Sequence, residues 1–154
     1  MGRKSRNKGA GFERHIAKLF SEALGLTFRR TPLSGGWAQA AEVAAGDIVC
    51  VDDSAFAFCI ECKKAEGWRT HSLLTDNHKW FDNWWAQVVE ECPSGKIPLL
   101  VFSRNYLPVF VATKVVGSID IPHVTTNVAG ERVVVYLLSH FISSLVKGRG
   151  DAKE

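Results

Sequence analysis

Three residues near the middle of the chain, Asp47, Glu61 and Lys63, are of types that together could act on a phosphodiester. Carboxylate oxygens are hard donors that suit a divalent cation such as Mg²⁺. A cation so held polarises a phosphate and helps deprotonate water, while a lysine ammonium beside it stabilises charge or orients the nucleophile. Two neighbouring carboxylates without a cation repel, and one pKa rises. Whether the two acids meet depends on the segments that carry them. Residues 47–51 and 56–63 are strand-like and flank the turn signal Asp52-Asp53-Ser54, which predicts a hairpin. With a three-residue loop over 53–55, position 52 pairs with 56 and Asp47 falls opposite Glu61, their Cβ atoms about 4.5–5.5 Å apart. Glu61 and Lys63 then share a small, accessible face with Ala57 and Cys59, while Ile60 and Cys62 project to the other side. A structural Glu–Lys pair on an edge strand, with Asp47 in a turn, is the alternative.

The remaining elements follow from periodicity. Residues 10–24 carry Phe12, Ile16, Leu19, Phe20 and Ala23 at helical spacing up to Gly25, and Arg14 and Lys18 share one face. Residues 31–46 are rich in Gly, Ala and Ser and read as a loop, with a short helical turn around 38–44. A second helix is predicted over 77–91, with Phe81, Trp84, Trp85, Val88 and Val89 on one stripe, ending at Pro93-Ser94-Gly95. Trp80 and Trp85 widen that stripe, which fits either a subunit interface or a large core helix. Segments 97–102, 108–113 and 132–137 are strand-like, and a last helix over 139–147 stops at Gly148. The order implies an α/β fold with a central mixed β-sheet flanked by helices.

The chain has 154 residues, 46% of them hydrophobic, which fits one domain over 1–154 and excludes a disordered chain. No apolar run approaches the ~20 residues that span a bilayer, and residues 1–8 are basic without an apolar core, so neither membrane nor secretion is expected. The first 30 residues hold eight basic and two acidic side chains, a balance of +6, against −3 for the other 124. A basic, flexible N-terminal arm over residues 1–9 on a mildly acidic body points to a polyanion, and without apolar anchors to nucleic acid rather than membrane. Of the four cysteines, Cys50, Cys59 and Cys62 lie in expected core strands while Cys92 does not; a reducing, cytoplasmic location is expected. Cys59 and Cys62 have zinc spacing but face oppositely on a strand and lack a second pair. Asp76-Asn77-His78 stands without the rest of any motif.

Gly46-Asp47 followed by Glu61-Cys62-Lys63 resembles the active-site signature of the PD-(D/E)XK nuclease superfamily. Within it, Lys8-Gly-Ala-Gly-Phe-Glu13-Arg14, then Arg29-Arg30 and Leu33-Ser34-Gly35-Gly36, resemble the archaeal-type Holliday junction resolvases, relatives of which phages encode. The match covers about the first 65 residues, and residues 97–102 fit a later core strand loosely. The resemblance implies a restriction-endonuclease-like core with Asp47 and Glu61 as metal ligands and Lys63 as catalytic lysine. It implies Glu13 as a further acidic metal-site residue, Ser34 as a serine near the scissile phosphate and Arg30 as a phosphate contact. Two departures are Gly46, where many members carry proline, and a longer loop over 37–45.

The expected activity is Mg²⁺-dependent resolution of four-way junctions, with Mn²⁺ as a substitute and no small-molecule cofactor. Two symmetric cuts without a covalent intermediate call for a homodimer. DNA contacts are expected from Arg3, Lys4, Arg6, Lys8, Arg14, Arg29, Arg30 and Lys64, with Trp37 either stacking at an opened junction or simply packing under its loop. A restriction- or repair-type endonuclease on linear or damaged DNA, and a non-catalytic DNA-binding module, are the alternatives.

Overall fold

The computed structural model describes residues 3–31, 46–75, 78–114 and 120–151, with side chains from Lys8 onward. Helix α1 (Arg3–Leu24) leads into strand β1 (Phe28–Arg30). Its buried stripe, Phe12, Ile16, Ala17 and Phe20, has helical spacing, and Gly25, left-handed at φ 64°, closes it with a hydrogen bond from its N to Ser21 O of 3.0 Å. The helix begins well before residue 10, so residues 3–9, expected as a flexible arm, are helical turns. Nothing in that stretch is a proline or β-branched, and Gly9 costs only about 1 kcal/mol of propensity.

Strands β2 (Ile48–Cys50) and β3 (Phe58–Lys64) form the expected antiparallel pair, with Ile48 opposite Ile60. A short 3₁₀ turn (Thr70–Leu74) and helix α2 (Lys79–Glu91) then cross over to β4 (Ile97–Ser103), which runs parallel to β3. Strands β5 (Phe110–Lys114), β6 (Val124–Val128) and β7 (Glu131–Leu137) complete the sheet, and helix α3 (Leu138–Asp151) ends the described chain. The seven strands lie in the order β1-β2-β3-β4-β5-β7-β6, with β3–β4 as the parallel pair and the other neighbours antiparallel.

Alternation along β4 divides the core into two layers. Leu99 and Val101 join Phe12, Ile16, Phe20, Ile60 and Phe141 under α1 and α3. Leu100 and Phe102 join Trp68, Phe81, Trp85 and Val88 under α2. The widened tryptophan stripe is filled from within the chain: Trp85 is buried, and Trp80 packs 5.0 Å from both Trp68 and Trp84 between ring centroids. Buried His78 hydrogen-bonds Asp82 at 2.8 Å and Thr126 at 3.0 Å, tying the start of α2 to β6.

Strand β1 and the 3₁₀ turn are additions to the expected elements, and two others differ from expectation. Strand β6 is polar in sequence, and its hairpin to β7 turns through Ala129 and Gly130, both left-handed, where an Asn-Gly signal would ordinarily mark the site. Helix α3 runs past Gly148, which lacks the positive φ that ends a helix. No described helix is long and apolar enough to cross a membrane.

Candidate active site

The β2–β3 register brings the acids together. Ile48 pairs with Ile60, so Asp47 stands opposite Glu61 one step along the antiparallel ladder. Asp47 is held at three points: its N donates to Ile60 O at 2.8 Å, its O accepts from Thr31 N at 2.8 Å, and its Oδ2 accepts from Cys62 N at 2.8 Å. Gly46 makes this approach possible. Its φ is 85°, and a Cβ there would lie 2.3 Å from Ile60 O. Proline, with φ locked near −65°, does not fit this backbone, which accounts for the glycine ahead of the acid.

Glu61 and Lys63 project toward α2, but the face is closed rather than accessible. Glu61 is 5% exposed and Cys59 is buried beside it. The Lys63 ammonium lies 3.9 Å from Glu61 Oε1 and donates to Gln87 Oε1 of α2 at 2.7 Å. The Gln87 amide nitrogen in turn donates to Glu61 Oε1 at 3.5 Å and to Glu91 Oε1 at 3.1 Å. Residue types and spacing alone do not single out Gln87. The signal that could have found it is its place on the buried-stripe side of α2, one residue before Val88, in a helix that must cover the Glu61 face.

The electrostatics follow from this crowding. Burial, then the charges of Asp47 and Glu91, push the Glu61 carboxyl up to about 8. Asp47 is also raised, by burial first, against the lowering effect of the Cys62 N–H and a hydrogen bond with Glu61. Both carboxyls of this hydrogen-bonded pair are thus pushed upward, and the pair favours keeping a proton. Two opposed, buried, oxygen-only donors with a shared proton form a set that a hard divalent cation fits, because Mg²⁺ is commonly held by one or two carboxylates plus substrate phosphate.

The other candidates divide. Glu13 and Arg30 form a close ion pair, each half-buried. Glu13 lies near enough to Cys62 to help burial push that thiol up. Among the described residues no group of three or more His, Cys, Asp or Glu is placed to hold a metal, so the acids brought together are Asp47 and Glu61. Lys8 pairs with Glu66 at 3.1 Å, and Lys64 sits 5.6 Å over the Phe12 ring. Arg14 and Arg29 are exposed. Ser34 and Trp37 lie outside the described residues, as do the side chains of Arg3, Lys4 and Arg6. All four cysteines are free, with Cys59 directed to Cys92 and Cys62 into the α1-side core.

A mixed sheet flanked by helices, with an acid and a Glu-x-Lys triplet on adjoining strands, is a restriction-endonuclease-like core of the PD-(D/E)XK type. A family model described as "Phage putative PDDEXK endonuclease" matches residues 4–141, and the chain belongs to that family. No curated protein and no solved structure matches the chain.

Proposed function

We propose that this nuclease hydrolyses phosphodiesters in four-way DNA junctions, with Mg²⁺ as cofactor and a homodimer making two symmetric cuts. The chemistry rests on one observation: Asp47 stands opposite Glu61, with Lys63 on the same face as Glu61. A divalent cation held by the two carboxylates would polarise the phosphate and lower the pKa of water. Lys63, half-buried and steered by Gln87, presents its ammonium to the phosphate charge that builds during attack. The junction preference is supported by the resemblance of the Lys8–Arg14, Arg29–Arg30 and Leu33–Gly36 segments to archaeal-type resolvases. Junction shape rather than base sequence would then direct the enzyme.

The test incubates the protein with a labelled immobile junction and a matched duplex, in Mg²⁺, in Mn²⁺ and in EDTA. Paired symmetric nicks on the junction, lost in EDTA and in Glu61→Ala, are expected. Lys63→Ala is expected to lower the rate by at least about 100-fold, the scale of a lost charge-stabilising group, and Gln87→Ala by a smaller factor. Equal cutting of duplex and junction would remove the junction preference and leave a restriction- or repair-type nuclease. Binding without cleavage in either metal would leave a DNA-binding module.

A further inference from the structure

The turn between β4 and β5 carries an aromatic side chain that the fold does not bury. Tyr106 is fully exposed, at 103% of its reference surface, and its backbone is left-handed at φ 65°. A bulky residue seldom adopts that conformation, and glycine or asparagine would serve the turn with less strain. The neighbours of Tyr106 hold the turn firmly. Asn105 N donates to Glu66 Oε1 at 2.9 Å, and the same oxygen pairs with Lys8 at 3.1 Å. Arg104 donates to Trp68 O at 2.8 Å and lies 6.0 Å over the Trp68 ring. Leu107 N closes the turn on Arg104 O at 3.3 Å. The ring is thus presented to solvent on a braced support.

Its position relates it to the acid pair. Strands β3 and β4 are parallel, Lys63 pairs with Phe102 and Lys64 with Ser103, so the turn leaves the sheet at the edge where β3 ends. Glu66, which braces Asn105, is five residues past Glu61, at most about 18 Å of extended chain. That span equals about five nucleotide rises along one DNA strand. Lys64 and Arg104 place positive charge at the same edge, where Lys8 is already paired with Glu66.

We infer that Tyr106 is a base-stacking contact, whose ring receives an unstacked nucleobase a few nucleotides from the phosphate at Asp47 and Glu61. The inference rests on the nuclease reading above and adds the group that meets an opened base. A rigid, exposed aromatic on a basic edge stacks on any base, because every base has a π-face. Such a contact favours DNA whose bases are already unstacked, as at a branch point, over continuous duplex.

The test measures equilibrium binding in EDTA, where the DNA stays uncut, to a four-way junction carrying 2-aminopurine at the branch. Tyr106→Ala is expected to weaken junction binding about 5- to 150-fold, the range of one lost base–aromatic stack, and to change the 2-aminopurine fluorescence of the complex. Tyr106→Trp is expected to retain both. Tyr106→Gly should bind as weakly as the alanine variant yet unfold at a higher temperature, since glycine relaxes the left-handed backbone. Unchanged binding by Tyr106→Ala would overturn the inference. So would equal losses in the alanine and tryptophan variants, or a fall from dimer to monomer in Tyr106→Ala by sedimentation, which would assign the ring to a subunit contact. Junction binding that depends on Tyr106, without cleavage in any divalent metal, would sink the nuclease reading and uphold the stacking contact. Cleavage that ignores Tyr106 would do the reverse.

Discussion

Glu61 sits where its charge is hardest to carry: it is buried, opposite Asp47 and near Glu91, with Lys63 as the compensating cation. Gln87 suits this setting because its carbonyl oxygen accepts from the lysine while its amide nitrogen donates to carboxylates. An acid there would worsen the repulsion and a lysine would compete with Lys63. The raised Glu61 pKa fixes the sign of a pH effect. In the unfolded chain the group ionises near 4.5, whereas in the fold it holds its proton up to about 8. Its contribution to stability is full below 4.5 and is lost as pH rises through 8, because in that window the unfolded state sheds a proton that the native state keeps. Thermal unfolding in EDTA is therefore expected to show the protein losing stability from pH 5 to 8 relative to Glu61→Gln. Added Mg²⁺ should recover more of it at pH 8 than at pH 5, since the cation displaces that proton. Parallel pH curves for the two proteins would show that Glu61 does not carry the proton.

At the scale of elements, the site is an arrangement of one hairpin and one crossover helix. The hairpin register decides that the two acids meet, since a slip by one residue would turn Glu61 into the α1-side core. Gly46 secures the start of β2 by allowing the backbone to press against Ile60. Gly46→Ala is expected to cost at least about 1–3 kcal/mol from its left-handed backbone alone, with the clash against Ile60 O added. It should abolish cleavage as Asp47 is displaced. Chemical denaturation and a junction-cleavage assay on the same preparation check this. A variant that kept both wild-type stability and activity would show that Asp47 does not depend on the close approach. Helix α2 serves both core and site, because Phe81, Trp85 and Val88 bury one stripe in the sheet while Gln87 and Glu91 face the acids.

For the whole molecule, charge is unevenly distributed, with +6 in the first 30 residues and −3 in the rest. The structure has already committed part of the positive charge, because Arg30 is paired with Glu13 and Lys8 with Glu66. Arg14 and Arg29 remain exposed. Junction affinity should fall steeply with salt, by about 10³-fold or more between 50 and 200 mM if some six phosphates are neutralised. Arg14→Ala should reduce the slope of log K against log[salt] by about 1, and should weaken duplex and junction binding alike. Fluorescence titrations across a salt series measure both quantities. A slope near zero would place the DNA away from α1.

Much of this was readable in the residues themselves. The turn signal at 52–54 and the strand-like runs around it were enough to place Asp47 opposite Glu61, since hairpin register depends on local spacing. Helical spacing likewise marked α1 and α2, and apolar composition marked β4, β5 and β7. Interactions between distant segments were not readable in this way. That Arg30 pairs with Glu13, that Gln87 reaches Lys63 from a helix 24 residues away in sequence, and that Gly46 abuts Ile60 all depend on which surfaces the sheet brings together. The same holds for the polar strand β6, which is a strand because β7 offers it an edge, and for Glu61, whose burial raises a carboxyl pKa only once α2 closes over it. Spacing along the chain determined which residues could share a face. Packing determined what each face meets, and with it the charge state of the site.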